Sequence, residues 1–427
     1  MQSFHSTITL FHSKNTCLGT QIRRKMPRMG QTGLEQLPAQ TALVKEMNHL
    51  RVGLLAHPAS VTRDLKHAVQ VFAELAIRPR ILFGPEHGFL GLAQDMAAVD
   101  DDGSRQVLVR SLYGETFEAL SPRQEDLTKI DLLAIDLQDV GARYYTFVWT
   151  ALLALRACVR AGVRVLLLDR PNPIGGNIDS LEGRLPQARF RSFVGLEAIP
   201  IRHALTLGEV VALFAAREGI SKDYLQIVSV NSIDRSLHAQ EWQRPFVLPS
   251  PNMPTYEAAL VYPGGCLLEG TNLSEGRGTA RPFTMFGAPW LDGDKLARAY
   301  EALRYKGAIV RPLSFQPTFH KHAGVQCGGV EVHVTDRDHF WPVKTYLSLI
   351  ALAHHHHPRE FAFRTERYEY VDDIPAFDLL TGSAVSREAI ERGDDPHAIA
   401  VALSEVGDAE RAVHREAVSA LARFATK

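Results

Sequence analysis

The sequence predicts an α/β fold, with a mostly parallel sheet domain followed by a second, smaller α+β domain. Three observations predict it. From Arg51 onward a short β-branched and Leu-rich run, a polar loop and an amphipathic helical stretch recur in turn, which is the sequence form of βαβ units. The runs are continuously apolar, as in strands covered on both faces. After Pro245 the pattern breaks into segments dense in Pro, Gly and Asn, which is loop chemistry, and the rest of the chain mixes helices and strands in another order.

Taken along the chain, residues 1–31 read as a disordered leader or a misassigned start, with Met26, Met29 and Met47 as alternatives. The basic cluster Arg23-Arg24-Lys25 is not followed by the apolar run of about 7–15 residues that a secretory signal needs, so a cytoplasmic location is the default expectation. Residues 32–245 form the sheet domain, with strands at Arg51–Ala56, Arg80–Gly84, Leu132–Leu137, Val163–Asp169 and Leu225–Val230. Helices are expected near Arg63–Ala76, Thr146–Ala161 and Leu207–Glu218. Residues 246–427 form the auxiliary domain. There Pro249–Pro254 and Gly264–Gly278 read as loops, Asp292–Arg304 as a helix, Ala308–Phe315 and Gly329–Val334 as strands, and the tail through Ala409–Phe424 as helical.

Composition narrows the function. With 427 residues the chain has room for two or three domains of about 150 residues. Its 47 Lys plus Arg against 48 Asp plus Glu leave a net charge of -1, which gives no pull toward nucleic acid or an anionic membrane. No apolar stretch approaches the roughly 20 residues of a membrane span. The four cysteines (Cys17, Cys158, Cys266, Cys327) form no CxxC pair and read as buried thiols.

In an open parallel sheet, ligands bind beyond the carboxyl ends of the strands. The loops there read His57-Pro58, Gly84-Pro-Glu-His-Gly88, Asp136-Leu-Gln-Asp-Val-Gly141 and Asp169-Arg-Pro-Asn-Pro173. Glu86 stands out, because Pro85 fixes its entry and Gly88 permits a tight exit. Asp136 and Asp169 read either as ligands or as strand-end groups that cap a helix or bond loop amides. Arg143 and Tyr144 read either as an anion contact and a ring for a sugar face, or as the first turn of a packed helix. A second concentration, Glu269-Gly-Thr-Asn272-Leu-Ser-Glu275-Gly-Arg277-Gly-Thr279, spaces two glutamates, an amide and a guanidinium by glycines. It is no Walker loop, and the GxGxxG fingerprint is missing after the first strand, so a dinucleotide cofactor is not expected. No HExxH or paired-His motif supports a metal, and His354–His357 ends at Pro358. Neither cofactor nor metal is expected.

Together Gly84-Pro-Glu-His-Gly-Phe89, Asp136–Gly141 with Arg143-Tyr-Tyr145, Asp169-Arg-Pro-Asn-Pro-Ile-Gly-Gly176, Pro249-Ser-Pro-Asn-Met-Pro254 and the Glu269–Thr279 loop resemble the NamZ-type exo-β-N-acetylmuramidases, in the same order from about Thr32 to the C-terminus. The resemblance implies a Rossmann-like domain joined to a smaller auxiliary domain, with a cleft between them. It further implies release of N-acetylmuramic acid from non-reducing ends of peptidoglycan fragments, a saccharide partner, and catalysis by Glu86. Two departures stand out: Arg202-His-Ala-Leu-Thr206 replaces the family's Arg-His-Gly-Met-Thr, and the loop after Phe89 runs Leu-Gly-Leu-Ala-Gln-Asp95-Met.

The expectation is therefore a two-carboxyl glycosidase in which Glu86 donates the proton and the second group is Glu275, with Glu269 close behind. Substrate contacts are expected from His87, Asp136, Gln138, Asp139, Arg143, Tyr144, Asn172, His203, Asn252, Asn272 and Arg277. Arg277 is the first choice, and Arg143 the second, for the lactyl carboxylate of muramic acid. The competing expectations are a saccharide-binding protein without turnover and a metal-dependent hydrolase.

Overall fold

The computed structural model describes residues 30–86, 88, 100–101 and 105–426. The expected leader, apart from residues 30 and 31, and the expectations for His87, Phe89 and Asp95 lie outside the described residues.

Six strands form one parallel sheet: β1 (Val52–Ala56), β2 (Ile81–Gly84), β3 (Leu108–Ser111), β4 (Leu132–Asp136), β5 (Arg164–Leu168) and β6 (Leu225–Val228). Their order is β3-β2-β1-β4-β5-β6, so the direction of winding reverses between β1 and β4. Every residue of β1 and β4 is buried, which is why these runs are apolar without alternation. β3 is the edge strand that the pattern did not reveal. It is four residues long, partly exposed, and carries Arg110, which pairs with Asp126.

Helix α1 (Ala68–Glu74) is shorter than expected. A bridge between Val61 and His67 holds the preceding residues in a turn, and His67 Nδ1 then caps the helix by accepting from the Val69 amide. Helix α2 (Phe147–Ala161) is buried along most of its length and stops at Gly162, where φ is 73°. Helix α3 (Leu207–Arg217) starts at a Thr206/Glu209 capping box.

Beyond β6, helix α4 runs Tyr256–Gly265, two residues into the stretch read as loop. The reason lies in packing: a Cβ on Gly264 would lie 2.0 Å from the Pro342 carbonyl oxygen, so glycine lets α4 lie against the next helix layer. Helix α5 (Gly293–Ala302), helix α6 (Pro342–His356) and a three-stranded antiparallel sheet come next, built from β7 (Met285–Ala288), β8 (Ala308–Phe315) and β9 (Cys327–Val334) with β9 central. β7, four residues at an edge, was also missed. The carboxylate of Glu182 accepts from the Val343 and Lys344 amides at the start of α6, joining the two halves of the chain. The last helix, α7 (Asp408–Phe424), returns to the first sheet. Glu416 pairs with Arg217 of α3, and Thr426 N donates to Ile227 O of β6. No helix among the described residues is long and apolar enough to cross a membrane.

Candidate active site

The strand-end loops beyond β1, β4 and β5 are rich in polar groups, and nearly all of those groups are already partnered. Asp136 is fully buried and takes both Arg170 Nε and Nη2. Gln138 donates from its side chain to Asp139 O and Pro171 O, and its amide donates to His57 Nε2. Asp139 Oδ2 accepts from the Gly141 amide and lies 3.2 Å from His203 Nε2. Asn172 bonds Leu205 O and the Ile174 amide. Asp169 accepts from Thr206 Oγ1 and from the Gly208 amide, capping α3 from the neighbouring strand. Burial pushes its carboxyl up to about 7.

Arg143 is spent in the same way. Its guanidinium is fully buried and donates to Arg184 O, Ile199 O and Leu380 O, with no carboxylate and no opening. It serves as a brace between the two halves rather than as an anion contact. Of the residues expected to touch the sugar, Asp136, Gln138, Asp139, Arg143, Asn172 and His203 are thus bonded within the protein and do not line the open cleft.

The open site lies beside them, in a cleft whose walls come from both halves of the chain. Glu86 enters it from the end of β2. Gly88, at φ 79°, closes the turn by donating to Pro85 O. Thr146 at the start of α2 donates to Glu86 Oε2 at 2.9 Å, and Tyr144, Tyr145 and Phe147 form the adjoining wall. From the other half come Asn252, Glu269, Arg277, Phe283, Tyr368 and Glu369.

The glycine-spaced segment divides its two glutamates. Glu269 faces the cleft, with Oε1 accepting from Arg277 Nη2 at 2.6 Å and Oε2 accepting from Tyr368 OH at 2.8 Å. Glu275 does not line the cleft. It is fully buried, with Arg277 Nε, His320 Nδ1 and Lys321 Nζ each 3.0 Å from a carboxylate oxygen. Burial alone would raise its carboxyl, but the hydrogen bond from His320 and the charges of Lys321 and Arg277 outweigh that and hold it well below the usual range. Lys321 also donates to Leu268 O and Leu273 O, so Glu275 anchors the segment. Of the two glutamates the sequence offered, the structure thus brings Glu269, and not Glu275, to the cleft.

Arg277 borders the cleft and lies over the Phe283 ring at 5.3 Å. The segment bends there through Gly276, at φ 76°, where a Cβ would lie 2.5 Å from Met285 O. Asn272 is engaged with Glu360 O and the Ala362 amide and does not line the cleft. Among the described residues, no group of three or more His, Cys, Asp or Glu side chains is arranged to hold a metal ion.

Glu369 escaped the reading of the sequence. It sits with Tyr370 at the tip of a two-residue turn closed by two backbone hydrogen bonds between Tyr368 and Val371, at φ 45° and 69°. Such turns ordinarily announce themselves by Asn-Gly or Asp-Gly. Here Arg367-Tyr-Glu-Tyr-Val371 contains no turn residue, and nothing in it marks a bend. Burial, with the charges of Glu86 and Glu269 adding to it, pushes the Glu369 carboxyl up to about 8.

Residues 52–257 match the N-terminal domain, and residues 260–413 the C-terminal domain, of the exo-β-N-acetylmuramidase NamZ family. The chain is 41% identical over 372 residues to the peptidoglycan β-N-acetylmuramidase NamZ of Bacillus subtilis, covering 86% of each protein. A crystal structure of a DUF1343 family protein from Bacteroides fragilis superposes with a TM-score of 0.77 at 28% identity, over 93% of this chain and 99% of that one. A second such protein from the same organism shares the fold, with a TM-score of 0.67 at 24% identity over 92% and 98%.

Proposed function

Because the chain belongs to the NamZ family of exo-β-N-acetylmuramidases, we propose that this cleft releases N-acetylmuramic acid from non-reducing ends of peptidoglycan fragments. The chain is a glycosidase, and the reading of its mechanism rests on one observation: Glu86 and Glu269, from opposite halves of the chain, line the same cleft.

Hydrolysis of a glycosidic bond needs one carboxyl to protonate the leaving oxygen and a second group to act at the anomeric carbon. Glu86 is one of the pair, held by the Thr146 hydroxyl at a rigid strand end. Glu269 is fixed by Arg277 and Tyr368, so its charge is balanced and its direction set. Muramic acid differs from N-acetylglucosamine by a lactyl carboxylate, and Arg277 is the cation in the cleft lining placed to read it. Asn252 and Tyr144 supply an amide and an aromatic edge for the sugar. The division of the chain near residue 245 is kept as our reading, with the cleft between the two parts.

Incubation with the disaccharide N-acetylmuramyl-β-1,4-N-acetylglucosamine should release both sugars, in the presence of chelator as in its absence. Binding without product would favour a saccharide-binding protein, and loss of activity on chelation that is restored by metal would favour a metal-dependent hydrolase.

A further inference from the structure

We infer that Glu369 is the carboxyl that gives its proton to the leaving glycosidic oxygen. The inference rests on the muramidase reading and revises its pairing: Glu369 takes the task that the sequence gave to Glu86, Glu86 acts at the anomeric carbon, and Glu269 holds Arg277 and Tyr368 in place.

Geometry comes first. Glu369 lines the same cleft as Glu86 and Glu269, and its Oε2 is buried without a hydrogen-bond partner. The other two carboxylates are engaged: Glu86 takes the Thr146 hydroxyl, and Glu269 takes Arg277 and Tyr368. A buried carboxyl oxygen with no donor is costly as an anion, but it is a ready position for a proton that will be handed to a ligand.

The backbone beneath Glu369 is strained in a way that a plain connecting loop does not need. Two successive non-glycine residues, Glu369 and Tyr370, take positive φ. Such conformations cost on the order of 1–3 kcal/mol each and persist where the surroundings enforce them, often at functional sites. The enforcement is visible. Tyr370 OH donates to Gly114 O in the first half of the chain, and its ring meets Tyr113, Phe117 and Phe193 edge-on at 6.1–6.3 Å. Tyr368, on the other side, is tied to Glu269. The turn is thus clamped from both halves with Glu369 at its tip, and the exposed rings of Tyr113 and Phe117 lie on the same side.

The charges around Glu369 agree. Glu86 from the β2 loop and Glu269 from the glycine-spaced segment disfavour its ionisation, and Arg277 and Arg364 oppose them less strongly. Tyr113 and Tyr370 are themselves pushed upward and stay neutral. A carboxyl held in its neutral form is suited to donate a proton.

In the chemical step the Glu369 proton passes to the glycosidic oxygen as the bond from that oxygen to C1 breaks, and the departing sugar leaves as an alcohol. Positive charge at C1 faces the Glu86 carboxylate. One water supplies the hydroxyl that completes C1, and its proton goes to a carboxylate of the site, from which solvent exchange restores Glu369.

The test compares two substrates that differ only in their need for a proton, the muramyl disaccharide and the 2,4-dinitrophenyl glycoside of N-acetylmuramic acid. In the wild type, kcat/KM on the disaccharide should fall as pH rises through about 8, because the active form is the protonated one. The dinitrophenyl glycoside should show no such limb. Glu369→Gln should lose on the order of 10²–10⁴-fold on the disaccharide and less than about tenfold on the dinitrophenyl glycoside. Glu369→Asp, still protonatable on a shorter arm, should keep the alkaline limb with a smaller loss. Near-wild-type disaccharide turnover by Glu369→Gln, or equal losses on both substrates, would overturn the assignment. So would a wild-type alkaline limb common to both substrates, a measurement that does not depend on any variant folding. A wild type inactive on both substrates would sink the muramidase reading itself, and this inference with it.

Discussion

Two polar regions lie side by side in this molecule, and they use the same residue types to opposite ends. Beneath the cleft, Asp136, Gln138, Asp139, Asn172, His203 and Arg170 are buried and bonded chiefly to one another and to backbone. In the cleft, Glu86 has one donor among the described residues, and a Glu369 oxygen has none. Buried polar groups that find their partners inside the protein specify a shape. Asp139 Oδ1 also lacks a partner but is shut away from the cleft, whereas the Glu369 oxygen lines it, so an incomplete group that faces the cleft marks chemistry more sharply than residue type does.

The contrast can be broken at several points, and the largest effect should come from Glu86. Glu86→Gln should cost on the order of 10²–10⁴-fold in turnover of a muramic acid glycoside. The thermal midpoint should stay close to wild type, and near-normal turnover would remove Glu86 from the mechanism. Asp136→Asn tests the other region. It leaves Arg170 buried without its carboxylate, so urea unfolding should show a loss of about 3–5 kcal/mol, while the folded fraction keeps its KM. Unchanged stability would mean that the network is not structural.

Smaller effects sharpen the boundary between the regions. Arg277→Met should weaken transition-state binding of muramic acid glycosides by about 1.5–3 kcal/mol, measured as kcat/KM, and change the matching N-acetylglucosamine glycosides far less. Equal losses on both sugars would confine Arg277 to bracing Glu269 and Glu275. Thr146→Val, which removes the donor to Glu86, should cost about 0.5–1.5 kcal/mol in kcat/KM. A loss confined to the thermal midpoint would return Thr146 to the scaffold.

The same contrast explains what could be read from the sequence. Apolar runs and helices with clear caps were legible, because burial and capping leave local marks; β1, β2, β4, β5, β6 and α3 are examples. The edge strands β3 and β7 were not, being four residues long and held by neighbours distant in the chain. Glu86 was legible through its Pro and Gly brackets. Asp136 and Asn172 looked like ligands because a strand-end polar group has the same sequence whether its partner is a sugar or Arg170. The slight preference for Glu275 over Glu269 had no firm basis in sequence, since only the fold shows that His320 and Lys321 reach the first and that Tyr368 reaches the second. Glu369 was invisible, because its turn is imposed by tertiary contacts on residues that do not favour one.

The return of α7 to the first sheet has a practical corollary for anyone who would divide this enzyme. The polypeptide crosses between its two halves more than once, and its final residues continue the margin of β6 through the Thr426 amide. A gene cut near residue 245 would leave the upstream fragment with α3 uncovered along the Arg217 side and with an open sheet margin, the arrangement that promotes self-association. The complementary fragment would carry an orphaned amphipathic helix. The two parts are therefore not exchangeable modules: swapping specificity between relatives calls for grafting individual cleft loops, and a carboxyl-terminal fusion must begin beyond a segment already seated on the sheet.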